Sequence, residues 1–171
     1  MISVKFNNIG SPGPVLHFDN RFSTIKLQED DADKDGRQSL SATKFVSPEV
    51  LQNAYNMNNY VGNSRASQVV LSMLNQNVST ADLSYFQSYF NVEQRKISSI
   101  YPSNTHVDMN PAGCSDPTGD ACSEANLDTQ YLMSTAQQTP TSYMYFSDVW
   151  KWIIYMSNLK KPPLVSSISY G

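Results

Sequence analysis

From Phe45 onward, apolar residues recur in short blocks separated by polar turns. "SPEVLQNAYNM" reads as a helix. Ser47 suits its N-cap, Pro48 its first position and Glu49 its first turn, and Val50, Leu51 and Ala54 form a short apolar face. "RASQVVLSML" (Arg65–Leu74) is short and rich in Val and Leu, the pattern of a buried strand. "STADLSYFQSYF" has Ser79 or Thr80 as cap and Leu83, Phe86 and Phe90 at helical spacing. "RKISSIY" reads as a short strand, and a Pro/Asn/Gly-rich loop follows it through Asp120. "CSEANLDTQYLMSTAQ" is the next helix, with Ser123 as its cap, and "TSYMYF" the next strand. "DVWKWIIYMSNLKK" is an amphipathic helix capped by Asp148 and ended by Pro162-Pro163, and "LVSSISYG" closes the chain as a strand. Within that last helix, Trp150, Trp152, Ile153 and Met156 are expected to pack on a sheet; the alternative is that some of them line a substrate cleft.

The resulting order is a helix followed by β-α-β-α-β-α-β. Strands alternating with helices of about 10–15 residues predict an α/β fold with a parallel sheet and flanking helices. A parallel sheet needs cover on both faces, and the last strand lacks a further neighbour. We therefore expect an incomplete fold, the first part of a larger α/β domain. Residues 1–43 are different in character. "NIGSPGP" is turn-like, and "VLHFDNRFSTIKL" alternates as one short strand does. "QEDDADKDGRQSLSATK" has no apolar period and reads as a flexible linker. The expected division is 1–43 as a largely flexible segment and 44–171 as the α/β part.

Composition narrows the function classes. The chain has 171 residues, enough for one domain with a real core. Charged residues are only 16%, and Ser, Asn, Thr, Gln and Tyr fill the surface, a balance common in secreted and vacuolar proteins. Net charge is −3 and the pI near 5.2, so no basic field invites nucleic acid. No run of about 18 apolar residues exists to span a membrane. "MISVKFNNIGSPGPVLHF" has no apolar h-region, so it does not read as a signal peptide; a secretory protein with this sequence is expected to be a processed or partial form.

Two cysteines, Cys114 and Cys122, flank a turn-rich segment. A disulfide is the first reading and two free thiols the alternative, since no His or further Cys is spaced to complete a metal site. Asn77 opens an N-glycosylation sequon. "DADKDG" (Asp31–Gly36) imitates the start of a calcium loop, but Ala42 stands where the bidentate Glu belongs, so a solvated linker is expected. His17 and His106 each stand alone and read as structural or surface residues.

The candidate chemistry lies in "CSEANLDTQYLMSTAQ". Glu124 and Asp128 stand one helical turn apart, where like charges oppose each other. A helical wheel places them with Leu127, Tyr131 and Leu132 on the apolar side, and puts Asn126, Thr129 and Gln130 on the other. Carboxylates buried there cost several kcal/mol unless partnered, and the segment holds no Lys or Arg. A first-turn acid such as Glu124 also favours the helix dipole by about 0.3–1 kcal/mol, a reading without chemistry that suits Asp128 poorly.

"EANLDTQYLMS" resembles the E-x-x-x-D signature of the sedolisin, or serine-carboxyl, peptidases, above all their tripeptidyl-peptidase branch. "SPEVLQNAYNM" resembles the opening of the mature catalytic domain of that branch, "ADLSYFQSYF" its first helix and "LVSSISYG" its VSxSYG strand. The four pieces occur in the family's order across Phe45–Gly171. The resemblance implies a subtilisin-like parallel sheet and a site made of a Ser nucleophile, a Glu base, an Asp that orients the Glu, and an oxyanion Asp. Carried over by motif, Glu124 is the base and Asp128 its partner. A carboxylate base suits acid conditions, where a His base would be protonated. The family's oxyanion Asp, Gly-Thr-Ser motif and calcium site lie well after the SYG strand, and no Ser of this chain sits in a matching motif. The resemblance therefore implies an N-terminal segment that is inactive alone and acts on peptide or protein substrates when joined to a C-terminal chain of the same precursor. Residues 1–43 match the end of the propeptide faintly. A lysosomal, vacuolar or secreted location follows by the same resemblance. The rival expectation is a catalytically inactive α/β fragment that binds a partner through the edge of its sheet.

Overall fold

The computed structural model describes residues 15–19, 24–28, 44–57 and 60–170. "NIGSPGP", "DADKDG" and all but the two end residues of the expected linker lie outside them. "VLHFDNRFSTIKL" holds two strands rather than one. β1 (Val15–Asp19) and β2 (Thr24–Gln28) pair antiparallel, and β2 pairs with β3 (Lys44–Phe45).

The remainder is an α/β fold built on a four-stranded, all-parallel sheet. Its strands are β4 (Gln68–Ser72), β6 (Ser99–Tyr101), β8 (Thr141–Tyr145) and β9 (Val165–Ile168), in the spatial order β6-β8-β4-β9. All five residues of β4 are buried, which is why its centre, Val69-Val70-Leu71, is an apolar run rather than an alternation. A second, two-stranded parallel sheet joins β5 (Val78–Ser79) to β7 (Val107–Asp108). The apolar pattern did not announce either: β5 is one turn from β4, and β7 sits inside the expected loop.

Four helices lie among the described residues. α1 (Pro48–Ala54) is capped by the Ser47 hydroxyl, which accepts the Val50 N–H at 3.2 Å. α2 (Thr80–Tyr89) is capped by Ser79, whose hydroxyl accepts from Asp82 N–H at 3.2 Å. α4 (Val149–Ser157) is capped by Asp148, whose carboxylate accepts from Lys151 N–H at 2.9 Å, and it ends at Asn158, before the prolines. α3 (Ser123–Thr135) differs: the residue at its N-cap is Cys122, which makes no side-chain cap bond, so the expected Ser123 cap is not the one used.

α3 and α4 lie on opposite faces of the sheet. α4 sets Trp152 against Val69, Leu71, Met144 and Phe146, with Val149, Tyr155, Met156 and Leu159 around them. These α4 residues recur at helical spacing, and Trp150 and Ile153 lie off their stripe. Contrary to expectation, then, Trp150 stays 71% exposed and Ile153 faces solvent as well. α3 sets Ala125 and Leu132 against Val70 and Tyr143 on the other face. The connections β6→β8 through α3 and β8→β9 through α4 run in the same direction across the sheet. On opposite faces they must have opposite hands, so one of them departs from the right-handed rule.

Candidate active site

Parallel sheets gather polar groups beyond the carboxyl ends of their strands, most of all where neighbouring strands send their connections to opposite faces. Here that holds on both sides of β8, toward β6, whose connection runs through α3, and toward β4. The chain leaves β4 toward α2, which packs on α3, and leaves β8 toward α4. At this end stand Ser72 at the close of β4, Tyr143 and Tyr145 on β8, and Ser169 and Tyr170 just after β9. The start of α3 lies over them and brings Glu124 and Asp128.

Both acids are half-buried, as the helical spacing suggested, but the fully buried face of α3 is not the expected one. It carries Ala125, Asn126, Thr129, Gln130, Met133 and Ser134, whereas Leu127, Tyr131 and Leu132 are only partly covered. The wheel assumed one buried face, set by apolarity. α3 instead touches α1, α2, β4 and β5. Its polar residues are buried because tertiary partners meet some of them. Asn126 Oδ1 accepts the Ser79 N–H at 2.8 Å, and its Nδ2 donates to Asp82 Oδ2 at 3.0 Å. Gln130 and Thr129 Oγ1 are buried with no hydrogen bond among the described residues.

Asp128 Oδ1 accepts from the Ser169 hydroxyl at 2.8 Å, while Oδ2 is buried and bonds to no described residue. Burial pushes the Asp128 carboxyl up to about 7; the Ser169 hydroxyl opposes the shift, and the charge of Glu124 adds to it. Burial also raises Glu124. Both carboxyls are therefore raised, Asp128 by burial against the Ser169 bond and with a small addition from the charge of Glu124. Burial raises the phenols of Tyr143 and Tyr170 as well. They stand near Ser72, whose hydroxyl lies 3.4 Å from that of Tyr170, and form a neutral hydroxyl floor beside the acids.

The first turn of α3 is anchored from outside the helix. Gln76, in the turn after β4, accepts the N–H groups of Glu124 at 3.0 Å and Ala125 at 3.4 Å through Oε1. Its Nε2 donates to the Asp120 carbonyl at 2.6 Å, and its own carbonyl accepts from the Tyr143 hydroxyl at 3.1 Å. A disulfide joins Cys114 to Cys122, immediately before α3. Cys114 N–H also donates to Asp82 Oδ2 at 3.0 Å.

Asn77 is half-buried, and the Ser79 of its sequon is fully buried as the cap of α2. His17 falls on β1. His106 stacks on Tyr145 with ring centroids 3.3 Å apart. The one group of metal-type ligands among the described residues, Asp108 with Cys114 and Cys122, consists of a disulfide and a carboxylate already bonded to Ser115 and Asn110. That donor set does not suit calcium, which takes oxygen ligands. No described helix is long and apolar enough to cross a membrane.

No family model matches the chain, and no solved structure matches it. Among curated proteins it is similar to tripeptidyl-peptidase 1 of Dictyostelium discoideum, at 28% identity over 137 residues, covering 74% of this chain and 21% of that protein. The chain thus spans about a fifth of the length of the curated relative it matches. The likeness is distant, and it indicates a sedolisin-like relation and a peptidase-like origin.

Proposed function

We propose that this chain supplies the N-terminal part of an acid-acting serine-carboxyl peptidase of the tripeptidyl-peptidase kind, with a subtilisin-like sheet, Glu124 as general base and Asp128 as its partner. The observation that carries the reading is a half-buried acid pair at the carboxyl end of a parallel sheet, Asp128 bonded to Ser169 just after β9 and raised to about 7 beside a raised Glu124. A proton retained on Asp128 spares Glu124 a neighbouring charge, so Glu124 is the member that ionises to accept the proton of an attacking hydroxyl. Burial moves the acid limit of this base above that of an ordinary Glu, so the working window opens higher than a free carboxylate would set. The nucleophilic Ser, the oxyanion Asp and the calcium site belong to the C-terminal portion that completes the enzyme, and the substrate is a peptide or protein. The disulfide and the sparsely charged composition suit a lysosomal, vacuolar or secreted setting.

Glu124→Gln in the full-length protein that carries this segment tests the assignment. Hydrolysis at acid pH should fall by about 10²–10⁴-fold, the usual worth of a general base. Near-wild-type turnover would remove Glu124 from the role.

One observation favours a second reading, that of an inactive interaction module. β9 is a sheet edge whose Val165 and Ile168 are 53% and 44% exposed. Intact-mass analysis of the natural material separates the two. A second chain bearing a Gly-Thr-Ser motif supports the peptidase; its absence, together with absence of acid peptidase activity, supports the module.

A further inference from the structure

The structure assigns Gln76 as the residue that positions Glu124. This inference rests on the base reading above and deepens it. The carboxamide of Gln76 does in trans what an N-cap side chain does in cis. It crosses 48 positions of sequence to take the N–H of Glu124 itself and that of the next residue. Cys122 makes no side-chain cap bond of its own. The same carboxamide donates to the Asp120 carbonyl, so it holds the loop before α3 and the first turn of α3 together. Through its backbone carbonyl, Gln76 is bonded to the Tyr143 hydroxyl. The base and the hydroxyl floor are therefore referenced to a single residue.

A second observation concerns how Gln76 reaches that place. The turn that presents it, Met73 to Gln76, closes through the Gln76 N–H to the Met73 carbonyl at 3.1 Å. Its two central residues, Leu74 and Asn75, are both left-handed, with φ of 54° and 58°. Asn tolerates that region; Leu does not favour it. Leu74 is 76% exposed, so side-chain burial does not account for its conformation. Asn75 is held by Tyr145, whose hydroxyl accepts the Asn75 N–H at 3.2 Å and lies 3.3 Å from its Oδ1. Strained backbone fixed by a neighbouring strand, with a polar side chain delivered to the base, is the arrangement expected of a positioning residue.

The test uses the full-length protein. Gln76→Leu should lower kcat by about tenfold or more with KM changed less than about threefold, because it misplaces the base without touching substrate. Gln76→Glu keeps an accepting oxygen at the two amides and adds a charge beside Glu124. It lacks the Nε2 donor to the Asp120 carbonyl, so it should recover only part of kcat, and its charge should move the acid limb of the pH profile upward by about half a unit or more. An added carboxylate raises Glu124 whatever Gln76 does, so the limb reports proximity, and kcat of the folded variants reports positioning: a merely structural residue would change expression or melting and leave kcat in place. If Gln76→Leu does not fold, Gln76→Glu decides alone: kcat lowered more than about twofold with KM held supports the inference, and kcat within about twofold overturns it. Glu124→Gln is run alongside. If that variant is inactive while both Gln76 variants keep kcat within about twofold, Gln76 loses the role and the base reading stands. If Glu124→Gln remains active, the base reading fails and Gln76 has nothing to position.

Discussion

The two faces of the parallel sheet are built on different principles. Under α4 the contact is apolar: Trp152 fills the space over Val69, Leu71, Met144 and Phe146. The helix brings its own cap in Asp148. Under α3 the contact mixes Val70, Ala125 and Tyr143 with buried Gln68, Ser72, Asn126, Thr129 and Gln130, and the cap comes from Gln76 in a distant turn. An apolar interface tolerates exchange of one hydrophobic group for another of like volume. A polar interface holds each group in one geometry, because a lost partner leaves a buried donor or acceptor unmet. The paired acids lie on the face that is held by directional bonds, which is where a constellation that must keep its geometry belongs.

The contrast can be broken from either side. The largest expected effect is on the α4 face: Trp152→Ala should cost about 3–5 kcal/mol in urea unfolding, the usual loss for a buried aromatic. Trp152→Phe, which keeps most of the volume, should cost less than about 1.5 kcal/mol. On the α3 face, Asn126→Ala removes few atoms, yet it leaves Ser79 N–H without its acceptor and takes one of two donors from Asp82 Oδ2, and it should cost about 2–3 kcal/mol. A loss below about 0.5 kcal/mol would show that the polar face is not held by its hydrogen bonds.

The acids on the two faces should answer to pH with opposite sign. Asp128 binds its proton more tightly folded than unfolded, so its contribution is complete below the ordinary carboxylate range and is lost as pH rises toward about 7. Asp128→Asn keeps an acceptor for Ser169 and should remove that dependence. The variant should match the parent near pH 4 and exceed it on the order of 2 kcal/mol near pH 8, read by urea unfolding at the two values. Asp148 is lowered, chiefly by the Lys151 N–H, so its contribution is present above the ordinary carboxylate range and is lost on acidification through its folded value. Asp148→Ala should give the smallest effect, a slight drop in Tm at neutral pH that disappears in acid.

Much of this architecture was legible in the chain. The Val69-Val70-Leu71 centre of β4 is an apolar run because both its faces are covered, and Ser47, Ser79 and Asp148 mark helix starts by side chains that bond three residues ahead. Such local signals survive without a structure, since the partners are neighbours in sequence. Glu124 and Asp128 could be singled out for the same reason: their spacing on one helix is a local fact.

What the sequence alone determined is the succession of the four main parallel strands and the four helices, the sheet they imply, and the acid pair; the short strands β3, β5 and β7 escaped it. The tertiary structure alone decided which side of α3 is buried, because that depends on four neighbouring elements and not on the apolarity of the helix. It decided that Gln76 caps α3, a bond between residues 48 positions apart that no periodicity reports. It also decided the proton affinity of Asp128, which follows from burial and from the Ser169 hydroxyl at the end of another strand. Local patterns record what each segment does with its own backbone; the chemistry of the acid pair is set by groups that only folding brings beside it.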